Sequence, residues 1–255
     1  MDYPPESLTA AAAGLLQRAR PQHGVHTGRY DRAVYRPPFS DMGDLAEMHD
    51  FVRTAGPAHL VSVNVSDGID TLVSSIVPLL LDTDLGEHGS LVGHLARPNP
   101  QWRALSSDIE ALAIFTGADA YVSPSFYATK RETGKVVPTW NYSVVHVYGR
   151  LVVHDDSSWV GDLVSRLTER HESPRDPPWA VTDAPPEYIE SMLRGIVGIE
   201  LAITRIEGKR KLSQNRSIAD VDGVIAGLGG GTAAMVAVAD NMRAAAQPRR
   251  SPSSS

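Results

Sequence analysis

The sequence predicts a mainly β, antiparallel α+β fold in which helices flank the sheet. Apolar or aromatic residues alternate along 58–65, 140–148 and 197–203, which is the period of a strand with two different faces. A short turn at 66–68 joins the first strand to a second over 69–81, which Pro78 interrupts. Strands that follow each other through turns form a β-meander, so βαβ units are not expected.

Length and composition favour one large domain. A chain of 255 residues with 42% hydrophobic residues can bury a full core. We expect a flexible N-terminal extension over 1–32, the folded domain over 33–230, and a C-terminal helix with a disordered tail over 231–255. The absence of cysteine excludes disulfides and thiolate metal sites.

Net charge and targeting signals limit which partners are expected. A formal net charge of −6 disfavours a large nonspecific nucleic-acid surface, because such binding requires Lys and Arg to neutralise phosphates. No export or membrane signal is visible, so we expect a cytoplasmic protein that does not contact a membrane. His23 with His26, and His171 with Glu172, lack the spacing of metal ligands, so no metal site is predicted.

Capping residues predict where the helices begin. Ser40 or Asp41 can cap a first helix, and the run 155–157 precedes a second. Ser217 with Asp220 predicts a third helix over 217–228, which Gly residues separate from a fourth over 232–246. The apolar positions of the first helix recur at helical spacing at Leu45, Met48, Phe51 and Val52.

The stretch 121–148 is the organising element of the chain. Two strands flank a charged loop, and after the loop one strand face carries Trp140, Tyr142, Val144, His146 and Tyr148. Hydroxyl and amide groups lie at the bases of the loop, beside these aromatic rings. Such a combination is typical of a site for a flat, phosphorylated or carboxylated ring system. A β-hairpin with an ordinary aromatic core is an equal alternative.

Two junctions between a strand and a helix could hold an anion. His94 and Arg97 come at the first, and Lys211, Ser213 and Gln214 belong to the basic segment 209–216 at the second. Cationic and hydroxyl groups near a helix N-terminus favour a phosphate. The alternatives are a buried, hydrogen-bonded His94 and a solvated run of charges before a capped helix.

Six motifs in family order resemble the PaiB family, described as FMN-binding negative transcriptional regulators. These motifs lie at 77–81, 93–102, 121–127, 136–142, 196–200 and 211–215. The resemblance implies an FMN-binding split β-barrel, a homodimer with cofactor sites at the subunit interface, and a repressor that acts on DNA directly or through a partner. A related branch contains haem proteins, including piperazate synthases, so an FMN- or haem-dependent enzyme is the alternative.

The resemblance and the two junctions together assign ten residues to the cofactor. Trp140 and Tyr127 are expected to line the ring. The anionic group is expected to be held by Lys211, Ser213 and Gln214 together with Arg97 and His94 from the other junction. One departure from the family pattern is Ser75, which stands where relatives carry a histidine, so haem would need His94 or His146 as its ligand. The predicted cofactor-binding residues are His94, Arg97, Asn99, Ser123, Tyr127, Trp140, Asn141, Lys211, Ser213 and Gln214.

Overall fold

The computed structural model describes residues 34–66, 68–106 and 109–250. The helices and strands discussed below belong to the unit that begins at Arg36. The predicted extension over 1–32, with His23 and His26, and the last five residues of the predicted tail lie outside the described residues. None of the described helices is long and apolar enough to cross a membrane.

An antiparallel sheet of eight strands dominates the described part of the chain. Its strands pair in the order β3-β2-β6-β7-β8-β5-β4, and β1 pairs with the end of β8. The strands are β1 Asp41–Met42, β2 Ala58–Ser66, β3 Ile69–Val77, β4 Leu80–Asp82, β5 Ser90–Ala96, β6 Ala111–Val122, β7 Thr139–His154 and β8 Ile196–Lys211.

The sheet curls into an incompletely closed barrel. β3 and β4 stand at the two ends of the strand order, yet only Pro78 and Leu79 separate them along the chain. The ends of the sheet therefore approach each other, and Pro78 cannot donate a ladder hydrogen bond at the seam. This is the antiparallel split β-barrel that the sequence predicted.

The main core fills the inside of this barrel. Leu60, Ala113, Val145, Val147 and Leu201 come from four different strands, and none is more than 1% exposed. Full burial of a Val or Leu side chain stabilises the fold by about 1.5–3 kcal/mol. The core thus fixes which face of each strand points outward.

Six helices flank the sheet within the described residues, and two are capped as predicted. Asp156 accepts a hydrogen bond from the backbone N–H of Trp159, and Ser217 accepts one from that of Asp220. The helices are α1 Leu45–Thr54, α2 Thr129–Thr133, α3 Ser157–Glu172, α4 Pro186–Leu193, α5 Ile218–Leu228 and α6 Ala233–Arg250.

The predicted cap of the first helix is wrong. Asp44 accepts a hydrogen bond from the backbone N–H of Ala46 and caps α1. Asp41 pairs with Lys209 in the sheet and bonds Arg36, while Ser40 ends a short 3₁₀ helix. Sequence spacing admitted several acceptors. Strand pairing removes Asp41 from the choice, and the short 3₁₀ helix removes Ser40.

Three element boundaries also differ from the prediction. The strand before the charged loop begins at Ala111, well ahead of the stretch 121–148, because an irregularity between Thr116 and Asp119 lets β6 resume its pairing with β7. The predicted loop contains α2, which ends at Gly134 with a φ of 69°. The last helix continues to Arg250, beyond the predicted end at 246.

The aromatic residues of β7 share one face as predicted, and that face lies outside the barrel. The alternate residues Asn141, Ser143, Val145 and Val147 are the buried ones. Cross-strand pairing extends the outer face across β6 and β2 to the edge strand β3. We call this surface the outer face; it carries Tyr142, Val144, His146, Tyr148, Leu112, Ile114, Val61, Val63, Leu72 and Ile76.

Candidate functional site

A cavity of about 170 Å³ lies where β7 begins and β8 ends. We call it the Lys211 cavity. The turn 212–216 leads from β8 into α5, and this turn closes one side of the cavity. Five of the predicted cofactor residues line it: Tyr127, Asn141, Lys211, Ser213 and Gln214.

Lys211 supplies positive charge at the wall of the cavity. Its ammonium donates hydrogen bonds to the hydroxyl of Thr139 and the carbonyl of Trp140. An ammonium has three N–H groups, so one donor remains beyond these two contacts. Burial lowers the pKa of Lys211, and the neighbouring Lys209 lowers this pKa further. An anion in the cavity would offset both effects.

Ser213 is held in an unusual backbone conformation. Its φ is 63°, in the left-handed region that a residue other than glycine seldom adopts. Its hydroxyl and the side-chain amide of Asn141 hydrogen-bond to each other at 3.1–3.2 Å, and the same amide lies 3.3 Å from Sδ of Met242 in the core. Gln214 secures the turn from within, because its side chain accepts from the N–H of Leu212.

Tyr127 presents a hydroxyl without a partner. The residue is 1% exposed, and among the described residues its Oη makes no hydrogen bond. A buried hydroxyl without a partner costs about 1–3 kcal/mol, so it is uncommon without a ligand or water to satisfy it. The guanidinium of Arg216 lies 5.0 Å from the centre of the Tyr127 ring. The hydroxyl of Tyr127 is therefore left for a ligand, whereas its ring is covered by Arg216.

Trp140 forms an aromatic platform next to the Lys211 cavity. A second cavity of about 440 Å³ runs along the outer face there. Trp140 is 53% exposed, and its ring meets that of Tyr121 edge to face at 5.9 Å. β7 contributes residues to both cavities: Thr139 and Asn141 line the Lys211 cavity, and Trp140 and Tyr142 line the second. The platform cavity is lined by Thr116, Gly117, Asp119, Trp140, Tyr142, Ser143 and Val144.

Sequence reasoning missed three residues of this region. Arg216 and Thr139 line the Lys211 cavity, and Tyr142 lines the platform beside Trp140. Arg216 belongs to the basic segment already singled out, but its position over Tyr127 depends on a turn that the sequence does not reveal. Ser123 was predicted to bind the cofactor; it caps the short 3₁₀ helix that follows and lines neither cavity.

Arg97 lies at the other end of the barrel and ties chain segments together. Its guanidinium makes a bidentate ion pair with Asp155, at 2.6 and 3.0 Å, and donates to the carbonyls of Arg194 and Ile196. The ion pair raises the pKa of Arg97 and lowers that of Asp155. Asn99 donates to the hydroxyl of Ser75 and accepts from the N–H of Gln101.

His94 packs beneath a helix. It stands opposite Gly198 in the sheet, and a Cβ at Gly198 would lie 2.2 Å from Cζ3 of Trp159 on α3. Burial lowers the pKa of His94, and its Nδ1 has no partner among the described residues. The same indole stacks on His154 at 4.0 Å. These contacts favour a packing role for His94, but among the described residues its Nδ1 lacks the hydrogen bond that this alternative expected.

The two predicted junctions do not meet within one chain. Arg97 bonds the beginning of β8, while Lys211 ends that strand. Fifteen residue steps at about 3.3 Å each place roughly 50 Å of strand between them. One protomer therefore presents the Lys211 group and the Arg97 group at separate ends of its barrel.

Comparison with known proteins identifies the family. The family model described as "Putative FMN-binding domain" matches residues 34–205, which is more than half of the chain. The chain belongs to this FMN-binding family. Protease synthase and sporulation protein PAI 2 of Bacillus subtilis is 37% identical over 192 residues, covering 75% of this chain and 87% of that protein. An uncharacterised protein of Aspergillus fumigatus is 35% identical over 221 residues, covering 71% and 85%.

Solved structures of similar fold include flavin and haem proteins. The FAD and haem binding protein of Mycobacterium smegmatis aligns with a TM-score of 0.46 and 18% identity, covering 76% of this chain and 81% of that one. A conserved hypothetical protein of Mycobacterium tuberculosis aligns with a TM-score of 0.48 and 13% identity, covering 71% and 92%.

The motif at 93–102 has a structural use in this member of the FMN-binding family. The amide of Gln101 is buried and donates to the carbonyl of Leu60 and the hydroxyl of Ser62. The indole N–H of Trp102 donates to the carbonyl of Arg97. The motif thus joins β5 to the β2–β3 hairpin. Arg97 borders a separate cavity of about 610 Å³ beside the start of α3, whereas five of the predicted residues share the Lys211 cavity.

Proposed function

We propose that this protein binds FMN, with the phosphate in the Lys211 cavity and the ring system against the Trp140 platform. The single observation that carries the proposal is the buried hydroxyl of Tyr127, which lacks a partner beside a partly buried ammonium. A phosphate oxygen would accept from both groups at once. Ammonium, hydroxyl and guanidinium groups around one small cavity are a donor set for a phosphate.

The sizes of the two cavities support placing the phosphate in the Lys211 cavity and the ring system in the platform cavity. About 170 Å³ suffices for a phosphate but not for a tricyclic ring, whereas the platform cavity has about 440 Å³ and an indole at its wall. The ammonium of Lys211 lines the first cavity and lies 5.9 Å from the centre of the Tyr142 ring, which lines the second, so we propose that a single ligand reaches both. When bound, FMN supplies one- or two-electron redox chemistry. The residues named here would hold and orient it.

A homodimer is part of the proposal because the outer face is apolar and uncovered. Leu72 and Ile76 on the edge strand are 76% and 67% exposed, and Val65 at the end of β2 is 41% exposed. An exposed, apolar edge strand promotes association unless another chain covers it. A twofold dimer would place the outer faces of two protomers against each other, beside both Trp140 platforms.

The dimer also allows Arg97 and Asn99 to take part in cofactor binding. Within one protomer they are too far from Lys211 to share a ligand, as the length of β8 shows. We therefore propose that Arg97 and Asn99 of one protomer face the Lys211 cavity of its partner. His94 is left out of this proposal, because it lies beneath α3.

For the biological role we propose FMN-dependent regulation of transcription, which the resemblance to the PaiB family implies. The alternative is a flavin enzyme on the same barrel. Two measurements separate them. One is steady-state oxidation of NADH or NADPH by the FMN-loaded protein. The other is the effect of FMN on the binding of this protein to the promoter DNA of its own operon. Turnover without DNA binding would contradict the regulatory role and leave FMN binding intact.

A mixed dimer tests the shared site. Co-expression of Lys211→Ala and Arg97→Ala chains with two different tags yields dimers that contain one chain of each kind. If each site takes Lys211 from one protomer and Arg97 from the other, the mixed dimer has one intact site and binds one FMN. Each variant homodimer should bind FMN about ten- to a hundred-fold more weakly, because a charge-assisted contact contributes about 1.5–3 kcal/mol.

The other outcomes are equally clear. A mixed dimer that binds as weakly as the two homodimers would place Lys211 and Arg97 in the same protomer's site and contradict the shared arrangement. An Arg97→Ala homodimer that binds two FMN normally would remove Arg97 from the proposal. Lys135→Ala, in the exposed loop after α2, is the matched control and should bind as the wild type does.

A further inference from the structure

A third cavity, of about 520 Å³, lies between the last turns of α3 and the connector that follows it. None of its lining residues belongs to the Lys211 cavity or to the Trp140 platform. Glu169 and Glu172 of α3 form one wall, and Trp179 with Pro178 forms another. Among the described residues that line it, two carry a carboxylate and none carries a positive charge.

The two carboxylates stand where the helix disfavours them. The C-terminus of a helix carries a partial negative charge, so acidic side chains in its last turn are repelled. Glu169 and Glu172 nevertheless occupy the last turn of α3, and Ser173 donates its N–H to the carbonyl of Glu169 at the cap. Arg175 pairs with Glu172 at 3.3 Å and is 67% exposed, and Glu169 forms no ion pair among the described residues. Arg170 and His171 in the same turn offset part of this negative charge, but neither of them lines the cavity.

The aromatic wall supplies a second and independent indication. Trp179 is 45% exposed although it borders a cavity, so its ring is available to a ligand. Indole is the best of the aromatic side chains for attracting a cation to its face. Two carboxylates and an indole around one cavity favour positive charge, while Pro178, Ala180 and Val181 favour an apolar body.

We propose that this cavity binds a small organic ammonium ion. The ammonium group lies between Glu169 and Glu172 and against the face of Trp179, and the apolar substituents contact the connector. This is a ligand site separate from the FMN site, and its occupancy does not depend on FMN.

Choline and its neutral isostere 3,3-dimethyl-1-butanol test the proposal, because they match in shape and differ in charge. We would titrate each into the full-length, FMN-loaded protein and follow the indole N–H resonance of Trp179, assigned from the Trp179→Phe variant, with calorimetry in parallel. The expected result is saturable one-to-one binding of choline per chain, with the alcohol at least about tenfold weaker.

Three variants complete the experiment. The double variant Glu169→Gln and Glu172→Gln should weaken the binding of choline about tenfold or more. Trp179→Leu should weaken this binding as well. Glu87→Gln in a distant turn is the matched control. Equal affinity for choline and the alcohol, or choline binding unchanged in the double glutamine variant, would overturn the proposal. Circular dichroism of each variant checks that the fold is retained, and these surface substitutions should leave it unaltered.

Discussion

The guanidinium of Arg216 covers the ring of Tyr127 at 5.0 Å, and it leaves the buried hydroxyl of that tyrosine without a partner. The two residues are 89 positions apart in sequence, and the turn after β8 brings them together. Sequence reasoning expected the Tyr127 ring to stack on a cofactor. The structure instead turns Tyr127 into a hydrogen-bond donor at the bottom of a small cationic cavity.

Tyr127→Phe should therefore change stability and affinity in opposite directions. Removing an unsatisfied buried hydroxyl should leave the free energy of unfolding of the FMN-free protein unchanged or raise it by up to about 1 kcal/mol. The affinity for FMN should fall about tenfold, because one phosphate contact is lost. Urea unfolding and FMN fluorescence quenching measure the two quantities. A variant that loses stability and keeps its affinity would show that the hydroxyl is structural.

Asn141→Ala tests the internal support of the turn. The Asn141 amide bonds Ser213, which holds a φ of 63°, so its loss leaves a buried hydroxyl unpaired. We expect a loss of about 1–3 kcal/mol in the free energy of unfolding, measured with urea. Ser125→Ala, whose side chain is exposed at the base of the loop, is the control. A stable Asn141→Ala variant would mean that the turn does not depend on this pair.

Affinity for FMN should fall at alkaline pH. Burial and Lys209 lower the pKa of Lys211 below its ordinary value of 10.5, and only the protonated amine attracts a phosphate. Binding should therefore weaken as pH rises through the lowered pKa, before 10.5 is reached. In the same window the FMN-free protein should gain stability, because the unfolded chain binds the extra proton there. Lys211→Met should show neither effect, and a wild type whose FMN affinity stays flat up to pH 10.5 would contradict the assignment.

The outer face predicts the effect of a charge at the proposed interface. Leu72→Glu and Ile76→Glu each place a carboxylate on the exposed apolar edge strand, where a partner would bury it. We expect sedimentation velocity at micromolar concentration to show monomers for these variants and dimers for the wild type. Leu85→Glu is the control, because Leu85 is 43% exposed in the turn between β4 and β5 and is not part of the outer face. Dimers that persist in both edge variants would move the interface elsewhere.

The fold was largely predictable from the sequence, because alternation fixes strand faces and capping residues fix helix starts. The period in 140–148 correctly grouped Trp140 with Tyr142 and Tyr148 on one face. It could not show that this face lies outside the barrel, since both faces of β7 carry apolar residues. Burial of Val145 and Val147 decides the question, and that depends on how the whole sheet curls.

The site was predictable only in part, because some of its contacts join residues that are far apart in the sequence. Lys211, Ser213 and Gln214 are close in sequence, so their meeting at one turn could be foreseen. In the sequence the junction at Arg97 looks equivalent to the one at Lys211, because both carry cations near the start of a helix. The sequence does not show which carboxylate pairs with Arg97. Asp155 is that partner, 58 positions away, and the separation of the two junctions along β8 appears only in the folded chain.

The central claim is that the Lys211 cavity holds the phosphate of FMN. The most direct measurement compares dissociation constants for FMN and riboflavin, which differ only in that phosphate, in the wild type and in Lys211→Met. The wild type should prefer FMN by about ten- to a hundred-fold or more, and Lys211→Met should lose most of this preference while its riboflavin affinity stays the same. Equal loss of affinity for both flavins, or an undiminished preference for FMN, would contradict the account.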